Sequence, residues 1–109
     1  MTANAVMEVG EGENGRHVEL CLHETLRITL SEVRTAGFRW NLRTPEKHVL
    51  SLIEDSTEAA VGGSGGTAVR HWIFRAEEPG VATIVLEYSR PWERGAAPAR
   101  AFSLSARVT

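Results

Sequence analysis

Cysteine is almost absent from this sequence. One cysteine among 109 residues excludes an intrachain disulfide, so the fold must be stabilised by the burial of apolar side chains. Cys21 lies in Val18–Leu22, with no flanking glycine or small-residue turn that would present a thiol. We therefore interpret Cys21 as a structural, buried residue and not as a nucleophile.

Long apolar runs and an excess of one charge are also missing. The apolar stretches, such as Ile84–Leu86, are far too short to cross a membrane. The formal net charge is -2 with both signs interspersed, so there is no basic stripe for nucleic acid or anionic lipid. Residues 1–15 contain no cationic region followed by an apolar region, as a secretion signal would. We expect no nucleic-acid or membrane partner and a cytoplasmic location, or a periplasmic or secreted one if a signal was trimmed.

Residues that could build a catalytic or metal site are scattered along the chain. Its four histidines, His17, His23, His48 and His71, lack the short spacings of zinc ligands. The glycine run at 62–66 is not followed by the Gly-Lys-Ser/Thr of a phosphate loop. No nucleophile with a base or pair of carboxylates stands out. We expect no metal, no cofactor and no enzymatic activity.

What the sequence does contain is alternation of apolar and polar residues at period two, which predicts β-strands. Leu26, Ile28 and Leu30, for example, share one face of a strand. The predicted strands are 18–22, 25–30, 38–42, 48–53, 67–76, 82–88 and 101–108. The fourth could instead be a short helical turn, because its apolar residues do not alternate strictly. The prediction is a flexible segment at 1–15 and a single domain at 16–109.

Seven short strands separated by turns favour an antiparallel β-sandwich, with a barrel as the alternative. If successive strands alternate in direction, the connections after strands two, four and six emerge at one end. These connections are Ser31–Ala36, Asp55–Gly66 and Ser89–Pro98. Loops clustered at one end of a rigid scaffold are typical of a binding surface.

Each of these connections carries a candidate contact. Thr35 stands at the tip of the first, before Trp40, which shares a face with Phe38 and belongs in the core. The glycine run of the second could be a flexible linker, or it could let the backbone approach a partner closely. In the third, Trp92 follows a stiffening proline; it could contact a partner or fold back over the sandwich edge.

Together and in this order, the three segments resemble the chagasin family of cysteine protease inhibitors. Members carry Asn-Pro-Thr-Thr-Gly running into Tyr-x-Trp, then Gly-x-Gly-Gly, then Arg-Pro-Trp. Gly63-Ser64-Gly65-Gly66 matches the second motif and Arg90-Pro91-Trp92 the third. The first motif diverges: Val33-Arg34 replaces Asn-Pro, Thr35 matches, Ala36 replaces the second threonine, and Gly37–Trp40 restores the pattern. The resemblance spans Leu20 to Val108.

This resemblance implies an all-β, immunoglobulin-like sandwich that reversibly inhibits papain-like cysteine proteases by blocking their active-site cleft. By analogy, Thr35 would lie beside the catalytic cysteine and histidine, the glycines would follow one cleft wall, and Trp92 would stack on the other with Arg90 making polar contacts. The predicted protease-binding residues are Arg34, Thr35, Ala36, Gly63, Ser64, Gly65, Gly66, Arg90, Pro91 and Trp92.

The divergent first motif has its own expected effect. Without the fixed φ of proline and the local hydrogen bonding of asparagine, the first loop should be looser, and Arg34 adds a charge. We expect weaker inhibition or a shifted target preference. The alternative function is a non-inhibitory binding module on the same fold, with a different partner. We expect a monomer.

Overall fold

The computed structural model describes residues 6–33, 37–43, 48–59, 67–93, 95 and 97–109. These residues form eight strands and a short 3-10 helix, Glu11–Glu13. The strands are β1 (Val6–Val9), β2 (His17–Leu20), β3 (Thr25–Val33), β4 (Arg39–Arg43), β5 (Leu50–Ala59), β6 (Thr67–Ala76), β7 (Gly80–Ser89) and β8 (Arg100–Val108). Within the described residues, no helix is long and apolar enough to cross a membrane.

The strands form two sheets of four. The first sheet has the order β1-β3-β6-β5 and the second β2-β8-β7-β4. The ladders between β3 and β6, β5 and β6, β4 and β7, and β7 and β8 are antiparallel, whereas β1 and β2 pair in parallel with β3 and β8. The predicted all-β sandwich is therefore confirmed, with eight strands instead of seven.

The core lies between the inner faces of the sheets. Trp72 and Phe74 of β6 are fully buried, as is Phe102 of β8, and aliphatic side chains surround them. These residues occupy alternate positions, as the period-two pattern predicts. Burying one large apolar side chain contributes about 1.5–3 kcal/mol, so this core accounts for most of the stability of a chain without a disulfide. The predicted burial of Trp40 is confirmed.

Strand β1 lies in the segment for which the sequence predicted no strand. It pairs with β3 from Val6 opposite Thr25 to Val9 opposite Ile28, and it buries Val9. A segment of four residues has too little alternation to predict a strand on its own. The hydrogen bonds that hold β1 come from the edge of β3, a partner distant in sequence.

The fourth predicted segment forms a strand, β5, and not the alternative helical turn. The structure of β5 also explains the irregular pattern of its apolar residues. A β-bulge shifts the register between Leu52 and Glu54, so Leu52 lies opposite Phe74 and Asp55 lies opposite Trp72. The extra residue, Ile53, reverses the alternation of side chains. Before the bulge Leu52 is on the side of β5 that faces the other sheet, and after the bulge Asp55 is on that side.

Cys21 corrects the interpretation made from the sequence. Strand β2 ends at Leu20, and the Cys21 N–H donates to the Glu24 carboxylate at 2.6 Å in a turn where His23 has a φ of 72°. Cys21 is therefore exposed and not buried. The strand ends earlier than the apolar pattern indicates, because the pattern continues through Leu22 into the turn.

Candidate functional site

The ends of the strands place three connections at one end of the sandwich. In the first sheet, the end of β3 pairs with the start of β6, Val33 opposite Thr67, and the end of β5 pairs there too, Ala59 opposite Ala68. The connections that leave β3 and β5 therefore begin at the same end of the first sheet. We call this end of the molecule the loop end.

The second sheet contributes its own strand ends to the loop end. Arg39 at the start of β4 pairs with Ser89 at the end of β7, and Tyr88 pairs with Arg100 at the start of β8. The Val33 N–H donates to the Tyr88 hydroxyl at 2.8 Å, which joins the end of β3 in one sheet to the end of β7 in the other. The β3–β4, β5–β6 and β7–β8 connections thus begin or end together.

The β7–β8 connection opens with a tight turn that presents Trp92. The Glu93 N–H donates to the Arg90 carbonyl at 3.0 Å, and the two side chains form an ion pair at 3.5 Å. Pro91 occupies the first central position, where its fixed φ suits a β-turn. The Ala99 N–H closes the connection by donating to the Tyr88 carbonyl at 2.8 Å. Trp92 is 67% exposed, the largest exposed fraction among the described large apolar residues.

Trp92 rests on the backbone of the β3–β4 connection. Gly37 has a φ of 83°, and a Cβ built on it would overlap Cη2 of Trp92 and lie 3.1 Å from Cζ2 and Cζ3. The indole therefore packs where only glycine leaves space, and Gly37 also adopts a backbone conformation that glycine favours. This contact joins the first and third connections.

A column of aromatic rings and guanidinium groups supports these connections. Arg90 lies over the Phe38 ring at 4.4 Å from its centroid, and Phe38 stacks on Tyr88 at 5.0 Å. Tyr88 in turn contacts Trp40 at 4.7 Å, and Arg100 lies 5.5 Å from the Trp40 ring. Cation–π and aromatic contacts of this kind favour one arrangement of the rings. The column runs from the third connection into the core.

Glu11 braces the loop end from the N-terminal side. Its carboxylate accepts hydrogen bonds from the hydroxyl and the N–H of Ser31, at 2.8 and 3.1 Å, and from Arg100 at 3.1 Å. The hydrogen bonds from Ser31, with a smaller contribution from Arg100, hold the pKa of Glu11 below its ordinary value. The 3-10 helix therefore ties β3 to β8 beside the aromatic column.

The predicted site residues divide into two groups. Arg90, Pro91 and Trp92 lie together at the loop end as described above. Arg34, Thr35 and Ala36 and the four residues Gly63, Ser64, Gly65 and Gly66 lie outside the described residues, so their roles stay predictions. The strands that flank both segments end at the loop end.

Sequence reasoning missed the charged residues beneath the loop end. Glu32 is fully buried and pairs with Arg70 at 3.0 Å. Glu32 continues the inward face of Leu26, Ile28 and Leu30, and Arg70 shares the inward face of Trp72. Two opposite charges at inward positions near the ends of neighbouring strands could have predicted this buried pair. Among the described residues, no group of three metal-ligating side chains comes together.

Comparisons with known proteins assign the chain to a family. The family described as Chagasin family peptidase inhibitor I42 matches residues 19–106. Among curated proteins, the chain is similar to Amoebiasin-2 of Entamoeba histolytica, with 29% identity over 107 residues, covering 95% of this chain and 86% of that protein.

Solved structures share the fold along the whole chain. The cysteine protease inhibitor EhICP2 from Entamoeba histolytica is 26% identical, with a TM-score of 0.90 and coverage of 100% of both chains. Amebosin in solution is 28% identical, with a TM-score of 0.75, covering 97% of this chain and 100% of that one. PbICP-C in complex with falcipain-2 shares the fold at 16% identity and a TM-score of 0.68, covering 97% and 91%.

Proposed function

This chain belongs to the chagasin family of peptidase inhibitors, and from that premise we propose that it reversibly inhibits papain-like cysteine proteases through its loop end. Membership of an inhibitor family confirms the prediction that the chain is not an enzyme. The similar structure EhICP2 is named a cysteine protease inhibitor, and PbICP-C is bound to falcipain-2. These names support a cysteine protease as the target.

The observation that carries the proposal is the exposed Trp92 at the loop end. Tryptophan and arginine are the residues that most often dominate the binding energy of protein interfaces. Trp92 is 67% exposed, yet its ring rests on Gly37 and its backbone is fixed by the turn from Arg90 to Glu93. An apolar side chain held in place before binding loses little conformational entropy when a partner covers it.

The geometry suits inhibition because the contact surface is formed before the protease arrives. Both sheets end at the loop end, and the hydrogen bond from Val33 to Tyr88 joins them. We propose that Trp92 stacks on one wall of the cleft and that Arg34–Ala36 and Gly63–Gly66 provide the remaining contacts. Loops that block the cleft offer the enzyme no well-fitted peptide bond to cleave, so the inhibitor is not consumed, and because the proposed contacts are non-covalent the inhibition is reversible.

Titration against papain and a cathepsin L-type enzyme with a fluorogenic substrate tests this function. Trp92→Ala should raise the inhibition constant by at least about 30-fold, since a hot-spot truncation costs roughly 2 kcal/mol or more. Val81→Ala is the matched control, because Val81 is also exposed, at 57%, but lies at the opposite end of β7. No inhibition by the parent at micromolar concentration, or equal effects of the two variants, would contradict the proposal.

A further inference from the structure

A buried charged cluster lies directly beneath the loop end. The Glu32 side chain is 0% exposed, and its Oε2 accepts hydrogen bonds from the Trp40 N–H at 2.8 Å and from Arg70 Nη1 at 3.0 Å. Arg70 Nη1 also donates to the Trp40 carbonyl at 3.3 Å, and its Nη2 donates to Asp55 at 2.8 Å. We call these four residues the Glu32 cluster. They come from β3, β4, β6 and β5.

The cluster joins strands that no ladder joins. Strands β3 and β4 belong to different sheets, so no ladder of backbone hydrogen bonds connects them. Glu32 binds the backbone of Trp40, and the Trp40 indole N–H donates to the Ser31 carbonyl at 2.9 Å. These bonds fix the end of β3 relative to the start of β4. Residues 34–36, which include Thr35, connect these two fixed strand ends in the sequence.

The cluster also reaches the two strands that flank the second connection. Arg70 lies near the start of β6 and Asp55 lies in β5, and these two strands flank residues 60–66. The guanidinium group is planar and donates in fixed directions, so one Arg70 side chain can hold Glu32, the Trp40 carbonyl and Asp55 at once. The start of β4 is thereby tied to β6 and β5, the two strands that flank the second connection.

Stability alone does not explain this arrangement. Removing two charges from water is costly, and well-packed apolar residues in place of a buried ion pair often serve stability equally well or better. Arg70 is 13% exposed and Glu32 is 0% exposed, so this pair carries that cost. What apolar side chains could not supply is the directional bonding to both polar groups of the Trp40 backbone.

We propose that Glu32 and Arg70 are positioning residues for inhibition, which act by fixing the start of β4, where the first connection ends, against the strands of the first sheet that flank the second connection. This inference rests on the proposed function. The two residues contact the bases of the connections from below, and they act on the protease only through the loops. Loss of the cluster should therefore reduce the preorganisation of the surface and weaken inhibition.

The decisive variant is Arg70→Lys. It keeps a positive charge beside Glu32, so the buried carboxylate stays paired, but a single ammonium group lacks the planar fork that holds Trp40 and Asp55 as well. We expect the inhibition constant against papain to rise about tenfold, mainly through faster dissociation. Glu8→Gln is the matched control, since it removes the exposed Arg27–Glu8 ion pair from the same sheet.

A second variant separates positioning from stability. Glu32→Leu/Arg70→Met removes both charges together and so leaves no unpaired charge within the buried pair, but the Trp40 N–H and carbonyl lose their partners. We expect its melting temperature to lie between those of Glu32→Leu and the parent, and its inhibition to stay weakened. Recovery of inhibition together with stability would overturn the proposal, because it would show that any well-packed pair suffices. If the double variant fails to fold, Arg70→Lys still decides the question.

Amide hydrogen exchange measured by NMR gives a readout that needs no protease. The N–H groups of Val33 and Trp40 should exchange faster in Arg70→Lys than in the parent, while that of Leu104 in β8 should not change. Unaltered exchange and unaltered inhibition in Arg70→Lys, with an active parent, would refute the positioning role. Failure of the parent itself to inhibit would instead refute the proposed function, and the exchange rates would still show whether the cluster fixes these two strand ends.

Discussion

Gly37→Ala should weaken inhibition by displacing the neighbouring side chain of Trp92. Gly37 has a φ of 83°, so an alanine there costs about 1–2 kcal/mol in backbone strain. The new Cβ would overlap Cη2 of Trp92, and the exposed indole would have to leave its place. If the displaced ring loses a hot-spot contribution of roughly 2 kcal/mol, the inhibition constant rises by about 30-fold.

Gly15→Ala separates the strain from the displacement. Gly15 has a φ of 80°, so it suffers the same backbone strain, but no described heavy atom lies within 4 Å of the Cβ position. Both variants should lower the melting temperature, by roughly 4–8 °C for each kcal/mol. Only Gly37→Ala should raise the inhibition constant in the papain assay.

A double-mutant cycle tests whether Gly37 acts through Trp92. In a Trp92→Ala background the indole is gone, so Gly37→Ala should have little further effect on inhibition, and the two changes should couple by about 2 kcal/mol. Additive effects would refute the reasoning. So would a Gly37→Ala variant that inhibits as strongly as the parent.

Two further predictions concern Thr35 and Glu11. Thr35→Arg should abolish most inhibition, because Thr35 is predicted to enter the cleft and a large cation there would block it; an inhibition constant equal to that of the parent would remove Thr35 from the contact surface. Glu11 has a pKa lowered in the folded state from its ordinary 4.5, so its charge stabilises the fold above about pH 4.5, and this contribution is lost as the pH falls through the lowered pKa. Glu11→Gln should therefore be less stable than the parent at pH 7, and thermal melts should show the difference shrinking as the pH falls below 4.5; a difference independent of pH would contradict the role of the Ser31 and Arg100 hydrogen bonds.

The sequence predicted most strands because their signal is local. Leu26, Ile28 and Leu30 alternate with polar residues within one strand, and the structure buries all three. Strand β1 could not be found in this way, since its hydrogen-bonding partner is β3. The reversal of alternation in β5 comes from a bulge, which a period-two pattern registers only as an irregularity.

In the candidate site, the local turn could be predicted from the sequence, but the contacts between distant residues could be predicted only in part. Arg90-Pro91-Trp92 carries its own turn signal, and the structure forms that turn. The contact between Gly37 and Trp92 joins residues far apart in the sequence, so it follows only from the folded arrangement of the sheets. The pairing of Glu32 with Arg70 was partly accessible, because both occupy inward positions of strands that turned out to be neighbours.

The bulge in β5 also has a consequence for contacts between two copies of the chain. Within the described part of the chain, β5 is an outer strand of the first sheet, ten residues long, with Leu52 and Ile53 exposed. A regular edge of this length is a template for strand-to-strand aggregation. At Ile53 the bulge interrupts the even spacing of N–H and carbonyl groups, and Glu54 and Glu58 add like charges along the same strand. We therefore expect the irregularity that obscured β5 in the sequence to disfavour edge-to-edge pairing of two copies.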